Sequence, residues 1–318
     1  IHPRRLFLSI LVGYFIDSLG AGNLVYAQAL MNKSSNLLCK LMSVLLILMM
    51  AGCTSVQHQK EQVVSTVSSE DGSLISFGVK GEGETTVVFV HCWTCSHKFW
   101  EPQIEYFSNK HKVVWLDLAG HGLSGSTRKE YKMSAFGEDV AAVVNKVGGN
   151  RVILVGHSMG GPVSIEAAKI LGHKVVAVVG VDTFYTQFEY PKSEAGIEGF
   201  VKPFKKDFVG TSQQMVQSMF TPGVNPELKT SILKRFSGTN KEMGISAMYE
   251  IFRWSAQNVP SSLERNSNRL KNINGAPTGN ETALHESVTL IPGVGHFVPQ
   301  VKPDKFNEVL SKIISEYL

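Results

Sequence analysis

The run Gly156-His157-Ser158-Met159-Gly160-Gly161 follows directly on the valine-rich stretch Arg151–Val155, and a helical pattern opens at once behind it. A serine spaced G-x-S-x-G at a strand-to-helix bend is set for nucleophilic attack, because small flanking residues permit a tight, strained turn that lifts the hydroxyl above a sheet. The helix starting there adds unpaired backbone N–H groups and a partial positive charge. A serine hydroxyl is a poor nucleophile until a positioned imidazole takes its proton. Three other stretches carry residues of reactive type: His91-Cys92-Trp93-Thr94-Cys95-Ser96, Asp117–Ser124 with His121, and Gly293-Val294-Gly295-His296.

The elements that must position these residues alternate along the chain. Val63–Val67 and Ser73–Val79 read as a hairpin through Glu70-Asp71-Gly72. Thr86–Val90, Lys112–Leu116, Arg151–Val155 and Val175–Val181 are short, unbroken and rich in valine, as strands buried on both faces of a parallel sheet should be. Helix-length segments, Ser134–Val147 and Met159–Leu171, lie between them. From Pro303 onward, Phe306, Val309, Leu310, Ile313, Ile314 and Tyr317 form one apolar helical stripe. From about Phe184 to Leu270 the strand rhythm stops, and a mostly helical insertion is expected, with Met215, Met219, Phe220, Met243, Met248, Phe252 and Trp254 chiefly its own core. The alternation argues for an α/β sheet.

With the elbow, the His91–Ser96 stretch after the third strand, Asp117–Ser124 after the fourth and Gly293–Phe297 near the end, residues 63–318 resemble the α/β-hydrolase superfamily. The resemblance implies Ser158 as nucleophile and His296 as the base that activates it. It implies an oxyanion hole made by the backbone N–H groups of Met159 and, by position, Trp93. The superfamily's usual loop reads His-Gly-x, whereas Cys92 stands where glycine is expected, and cysteine resists dihedrals open to glycine. Asp117 and His121 are expected to shape a loop.

The acid of the triad has no obvious place. Relatives usually carry it after a seventh strand, but Leu270 to Val288 shows no apolar run ending in aspartate. Asp182 ends the sixth strand on the sheet edge that presents Ser158, and some relatives place the acid there. Glu281 and Glu286 lie nearer His296 in sequence. A site with no functioning acid is the remaining reading, and it would cost about 10⁴ in turnover.

Cys92 and Cys95 are expected to form a disulfide that holds the oxyanion loop, as suits an exported protein. A zinc site built from this pair with His91 and His97 is disfavoured, because one C-x-x-C in a single loop closes a tetrahedron poorly. No metal or cofactor is expected.

Lys33 and Lys40 precede the apolar run Leu41–Ala51, which suits a signal-peptide core and falls short of the roughly 20 residues that span a bilayer. Gly52-Cys53 then resembles a bacterial lipobox, which implies Cys53 as a lipidated membrane tether, and Thr54 after it implies the outer membrane, facing the periplasm. Residues 1–30, with Arg4-Arg5 and Ala27-Gln28-Ala29, read as a segment upstream of a start at Met31. The 318 residues are 43% hydrophobic and 18% charged, which excludes a disordered chain. Residues 1–53 hold four Lys/Arg and one Asp of the 31 basic and 27 acidic residues, so the remainder carries 27 against 26, a net of +1. That balance leaves no nucleic-acid footprint.

The expectation is therefore an α/β fold, a mostly parallel β-sheet flanked by helices with an inserted helical cap and a degenerate or missing seventh strand. It divides into an upstream segment and signal peptide (1–53), an N-terminal core part (54–183), a cap (184–271) and a C-terminal core part (272–318). Such a chain would hydrolyse an ester or similar acyl bond of a small apolar substrate through an acyl-enzyme on Ser158. The alternative is an impaired pseudo-hydrolase serving as a lipid-anchored binding protein.

Overall fold

Every residue of Thr85–Val90 (β3) is buried, as are nearly all of Arg151–His157 (β5) and Val175–Val181 (β6), so the unbroken apolar runs lie at the centre of a sheet covered on both faces. The computed structural model describes residues 64–318 except 238 and 239. The signal segment, Cys53 and the expectations attached to residues 1–53 lie outside the described residues.

Ser65–Ser68 (β1), Leu74–Lys80 (β2), Lys112–Leu116 (β4), Leu270–Ala276 (β7) and Val288–Pro292 (β8) complete an eight-stranded sheet in the order β1-β2-β4-β3-β5-β6-β7-β8. Only β2 runs antiparallel to its neighbours; all other pairs are parallel. After β3 the chain steps out to β4 and returns on the other side as β5. Such a switch leaves a crevice at the strands' carboxyl ends, where ligands bind in open α/β sheets.

Glu101–Phe107 (α1), Met133–Val147 (α2) and Gly160–Leu171 (α3) follow β3, β4 and β5. On one face α2 and α3 cover Val88, Val90, Leu154 and Val178. On the other, α1 packs with Phe89, Ile153, Val155 and Val179, together with the last helix, Pro303–Ser315 (α9), which is preceded by the short turn Val298–Val301 (α8). The apolar stripe of α9 buries Phe306, Val309, Leu310, Ile313 and Ile314, each worth about 2 kcal/mol when withdrawn from water. Truncating Leu310 to alanine at its centre would cost about 2–5 kcal/mol.

Four helices fall between β6 and β7: Glu194–Lys206 (α4), Phe208–Ser218 (α5), Pro226–Ser237 (α6) and Lys241–Arg265 (α7). Ser193, Asp207 and Asn240 cap α4, α5 and α7 by accepting a backbone N–H in the first turn. Because β7 begins at Leu270, residues 270 and 271 belong to the sheet and not to the cap.

The seventh strand is present, which corrects the expectation that it is degenerate or missing. It pairs in parallel with β6, from Val178 opposite Leu270 to Val181 opposite Ile273, and with β8. Its sequence Leu-Lys-Asn-Ile-Asn-Gly-Ala hides it, since two buried positions hold amides. Those amides find partners sideways: Asn272 Nδ2 donates to Ser287 Oγ at 3.0 Å, and Asn274 Nδ2 donates to the Phe184 carbonyl at 2.8 Å. Hydrogen-bonded polar groups are tolerated where an unpaired one would cost roughly 1–3 kcal/mol.

Candidate active site

β5 delivers Ser158 into a left-handed backbone, φ 53°, before α3 starts at Gly160. Its N–H donates to the Val181 carbonyl at 2.9 Å, and its own carbonyl accepts from Gly161 N–H at 2.9 Å, which locks the bend. The flanking glycines are required by close approach: a Cβ on Gly156 would sit 2.1 Å from the Gly160 carbonyl oxygen, and one on Gly160 would sit 2.4 Å from that of Val90. Left-handed geometry at a non-glycine residue costs on the order of 1–3 kcal/mol and persists only where surroundings enforce it. Among the described residues it occurs at Thr94, Ser158, Asp182 and Tyr185, each in the segment that leaves the carboxyl end of β3, β5 or β6.

Asp182 follows β6 directly and is held by its own N–H, which donates to the Ile273 carbonyl at 3.0 Å. Its Oδ1 accepts from Gly275 N–H at 3.0 Å, and its Oδ2 lies 2.6 Å from His296 Nδ1. Burial raises the pKa of this carboxyl, but the hydrogen bond from His296, the nearby imidazole charge and the Gly275 N–H outweigh it and hold the group below the usual carboxylate range. A carboxylate only accepts, so His296 Nδ1 carries the proton of this hydrogen bond, and in the neutral imidazole Nε2 then holds the lone pair. The main chain of His296 is tied as well: its N–H donates to the Met219 carbonyl at 3.2 Å, at the end of α5.

The seventh strand thus contributes Gly275 N–H, while the carboxylate that contacts His296 follows the sixth. Glu281 lines the rim, where one carboxylate oxygen accepts from Thr278 N–H at 2.8 Å. Glu286 is exposed in the loop before β8.

The loop after β3 holds a Cys92–Cys95 disulfide with Cα atoms 5.2 Å apart. Cysteine at position 92 needs no glycine-like backbone here; the left-handed residue is Thr94, φ 55°. The Cys92 carbonyl accepts from His91 Nδ1–H at 2.8 Å and from Cys95 N–H at 3.1 Å. Since the next peptide is trans and planar, the Trp93 N–H points to the opposite side. The Trp93 indole is fixed by the cap: its Nε1–H donates to the Gly244 carbonyl at 2.8 Å, and Phe204 and Phe208 pack edge-on at 5.9 and 5.8 Å.

His91 accepts from Leu118 N–H through Nε2 at 3.0 Å, so both its nitrogens are engaged by main chain. Asp117 accepts from the N–H groups of His97 and Leu123 at 2.7 and 2.9 Å and contacts His97 Nδ1 at 3.0 Å. His121 Nδ1–H donates to the Ala119 carbonyl at 3.1 Å. This group shapes the β4 loop and the turn beside it. No cluster of three or more His, Cys, Asp or Glu able to hold a metal occurs among the described residues.

Ser158, His296, Asp182, Trp93 and Met159 line one cavity of about 680 Å³ at the carboxyl edge of the sheet. The rest of its wall is mainly apolar, including Tyr190, Phe200, Met215, Met219, Met248 and Phe252. Several methionines of the insertion therefore face the cavity, while Met243 and Trp254 are packed into the core as expected of them. Among the described residues, no Lys or Arg lines it.

A family model described as alpha/beta hydrolase fold matches residues 85–239. The chain has the α/β-hydrolase fold, and residues 85–239 carry that family's sequence pattern. The Bacillus subtilis AB hydrolase superfamily protein YisY is 26% identical over 153 residues, which cover 45% of this chain and 56% of that protein. The 2-(acetamidomethylene)succinate hydrolase of Mesorhizobium japonicum is 31% identical over 103 residues, 32% of this chain and 37% of that protein. These matches span about half or less of the relatives' own lengths. Among solved structures, a thermophilic esterase from Thermogutta terrifontis superposes with a TM-score of 0.67 at 18% identity, over 80% of this chain and 98% of that one. At that identity the likeness speaks for the fold.

Proposed function

We propose that this α/β-hydrolase is a serine hydrolase that cleaves an ester or similar acyl bond in a small, uncharged, largely apolar substrate. The observation that carries the reading is the 2.6 Å contact between Asp182 Oδ2 and His296 Nδ1, made beside the strained Ser158 in a single cavity. His296 Nε2 takes the Ser158 proton as Oγ attacks the carbonyl carbon. The oxyanion forms against the N–H groups of Met159 and Trp93, each such donor lowering the barrier by about 3 kcal/mol. His296 then returns the proton to the leaving alkoxide. Water, deprotonated by the same nitrogen, releases the acid and restores Ser158.

The wall supports an uncharged acyl group. A substrate carboxylate would lose its hydration there without a cation in return, beside the carboxylate of Asp182. The succinate hydrolase of Mesorhizobium acts, by its name, on a succinate, and among the described residues this cavity offers no Lys or Arg to pair with its carboxylates. The pseudo-hydrolase alternative rests on a missing acid, and the contact of Asp182 with His296 favours the enzyme.

Hydrolysis of p-nitrophenyl butyrate by the purified chain tests the proposal, with Ser158→Ala beside it. A rate lost on substitution supports it, and equal rates would leave a binding protein. The membrane tether at Cys53 is proposed from its sequence context, and loss of membrane sedimentation in Cys53→Ser tests that part.

A further inference from the structure

His157 takes no part in the proposed chemistry, yet it is built into the site. It closes β5 at 1% exposure. Trp100 packs edge-on at 6.3 Å and Phe297 lies at 6.1 Å, while the ring of His296 lies 4.7 Å away with planes 38° apart. His157 Nε2 is 2.9 Å from the main-chain carbonyl oxygen of His296. A carbonyl only accepts, so Nε2 bears the proton and Nδ1 is bare. Nδ1 is also buried without a partner, so a second proton there would have nothing to bond. Burial, with the charge of His296 next, pushes this imidazole down to about 3. It is a neutral donor throughout the working range.

The need for such a donor arises from how His296 is held. The hydrogen bond to Asp182 fixes one ring nitrogen but leaves the imidazole free to swing about that axis. The main-chain N–H of His296 is anchored on Met219, which belongs to the cap. His157 supplies the anchor from the sheet, on the residue adjoining Ser158 itself. Its main-chain contact and ring contact thus set the base relative to the nucleophile through a single rigid strand end.

We propose that His157 is a positioning residue for the general base: its Nε2–H holds the His296 main chain and its ring backs the His296 imidazole, keeping Nε2 of His296 aimed at Ser158. This rests on the serine-hydrolase reading.

The test is steady-state hydrolysis of p-nitrophenyl butyrate by the full chain and by four variants, with circular dichroism as a check on folding. His157→Phe keeps a ring and removes the donor; His157→Gln keeps an N–H at comparable reach; His157→Asn keeps one that falls short. His157→Phe should lower kcat by about 10- to 100-fold with KM changed less than about 3-fold, the signature of misaimed groups and not of lost substrate binding. His157→Gln should recover most of the loss and His157→Asn little of it. A His157→Phe enzyme within about 2-fold of the parent, or Gln no better than Asn, overturns the proposal. Should His157→Phe fail to fold, the Gln and Asn pair decides. Ser158→Ala separates the two levels: if it abolishes hydrolysis while His157→Phe is unimpaired, only the positioning role falls. If it retains hydrolysis, the serine-hydrolase reading falls and the positioning role with it.

Discussion

Replacing Asp182 by asparagine preserves shape and removes charge, and the geometry of the site dictates how the imidazole responds. Oδ1 of Asp182 accepts from Gly275 N–H at 3.0 Å, so the amide introduced by Asp182→Asn must keep its oxygen on that side. Its NH2 group then faces His296 Nδ1, where the carboxylate oxygen now accepts at 2.6 Å. Donor would meet donor, and the imidazole escapes by moving its proton to Nε2, which is the nitrogen that must take the proton of Ser158. The base is lost without moving an atom of the backbone, and the negative charge that stabilises the imidazolium goes with it. The expected loss in kcat/KM is about 10⁴-fold, or about 5.5 kcal/mol of transition-state stabilisation. The assay is p-nitrophenyl butyrate hydrolysis, with Glu286→Gln, an exposed carboxylate outside the cavity, retaining the parent rate. A loss of less than about 10-fold in Asp182→Asn would refute the reasoning, because a triad acid cannot be dispensed with so lightly.

In a Cys39→Ser, Cys53→Ser background, thiol titration should find no free thiol before reduction, and Cys92→Ser with Cys95→Ser should lower kcat by about 10-fold or more with KM little changed, since the Trp93 N–H loses part of its clamp. Thermal stability should fall in acid. His121 and His157 are pushed down to about 3 in the fold from 6.5, mainly by burial, so the unfolded chain binds protons first. Their contribution is complete above pH 6.5 and drains as pH drops toward 3, at about 2 kcal/mol each by pH 5; a melting temperature that stays flat from pH 7 to pH 4.5 would contradict this. An ester whose acyl group ends in a carboxylate should be cleaved at least about 100-fold less efficiently than the butyrate ester, and comparable kcat/KM values would remove the uncharged-substrate reading.

The sequence shows the centre of the sheet plainly, because strands buried on both faces must be apolar throughout, as Thr85–Val90 and Val175–Val181 are. The last helix is legible for the same reason: one face carries Phe306, Val309, Leu310, Ile313 and Ile314 at helical spacing. The seventh strand is not, since Asn272 and Asn274 occupy buried positions and their Nδ2 groups find partners only outside the strand, on Ser287 and Phe184. The spacing around Ser158 advertises an elbow because close backbone approach admits only glycine at Gly156 and Gly160. Asp182 is one carboxylate among several until the sheet closes and brings it to His296 across 114 positions. The role of His157 has no local signal at all: its partner is a main-chain carbonyl, and any residue type can supply one. Cys92 in place of glycine looks like a defect in sequence, and it is none, because the left-handed turn falls on Thr94.

The most direct test is covalent. A p-nitrophenyl phosphonate ester reacts with a serine only where an imidazole draws off its proton, and it leaves a stable adduct that intact-mass and peptide spectrometry can locate. One phosphonyl group on Ser158, formed with release of one equivalent of p-nitrophenol and formed at least about 100-fold more slowly in His296→Ala, is the predicted result. Unlabelled protein, or labelling as fast without His296 as with it, would contradict an activated Ser158.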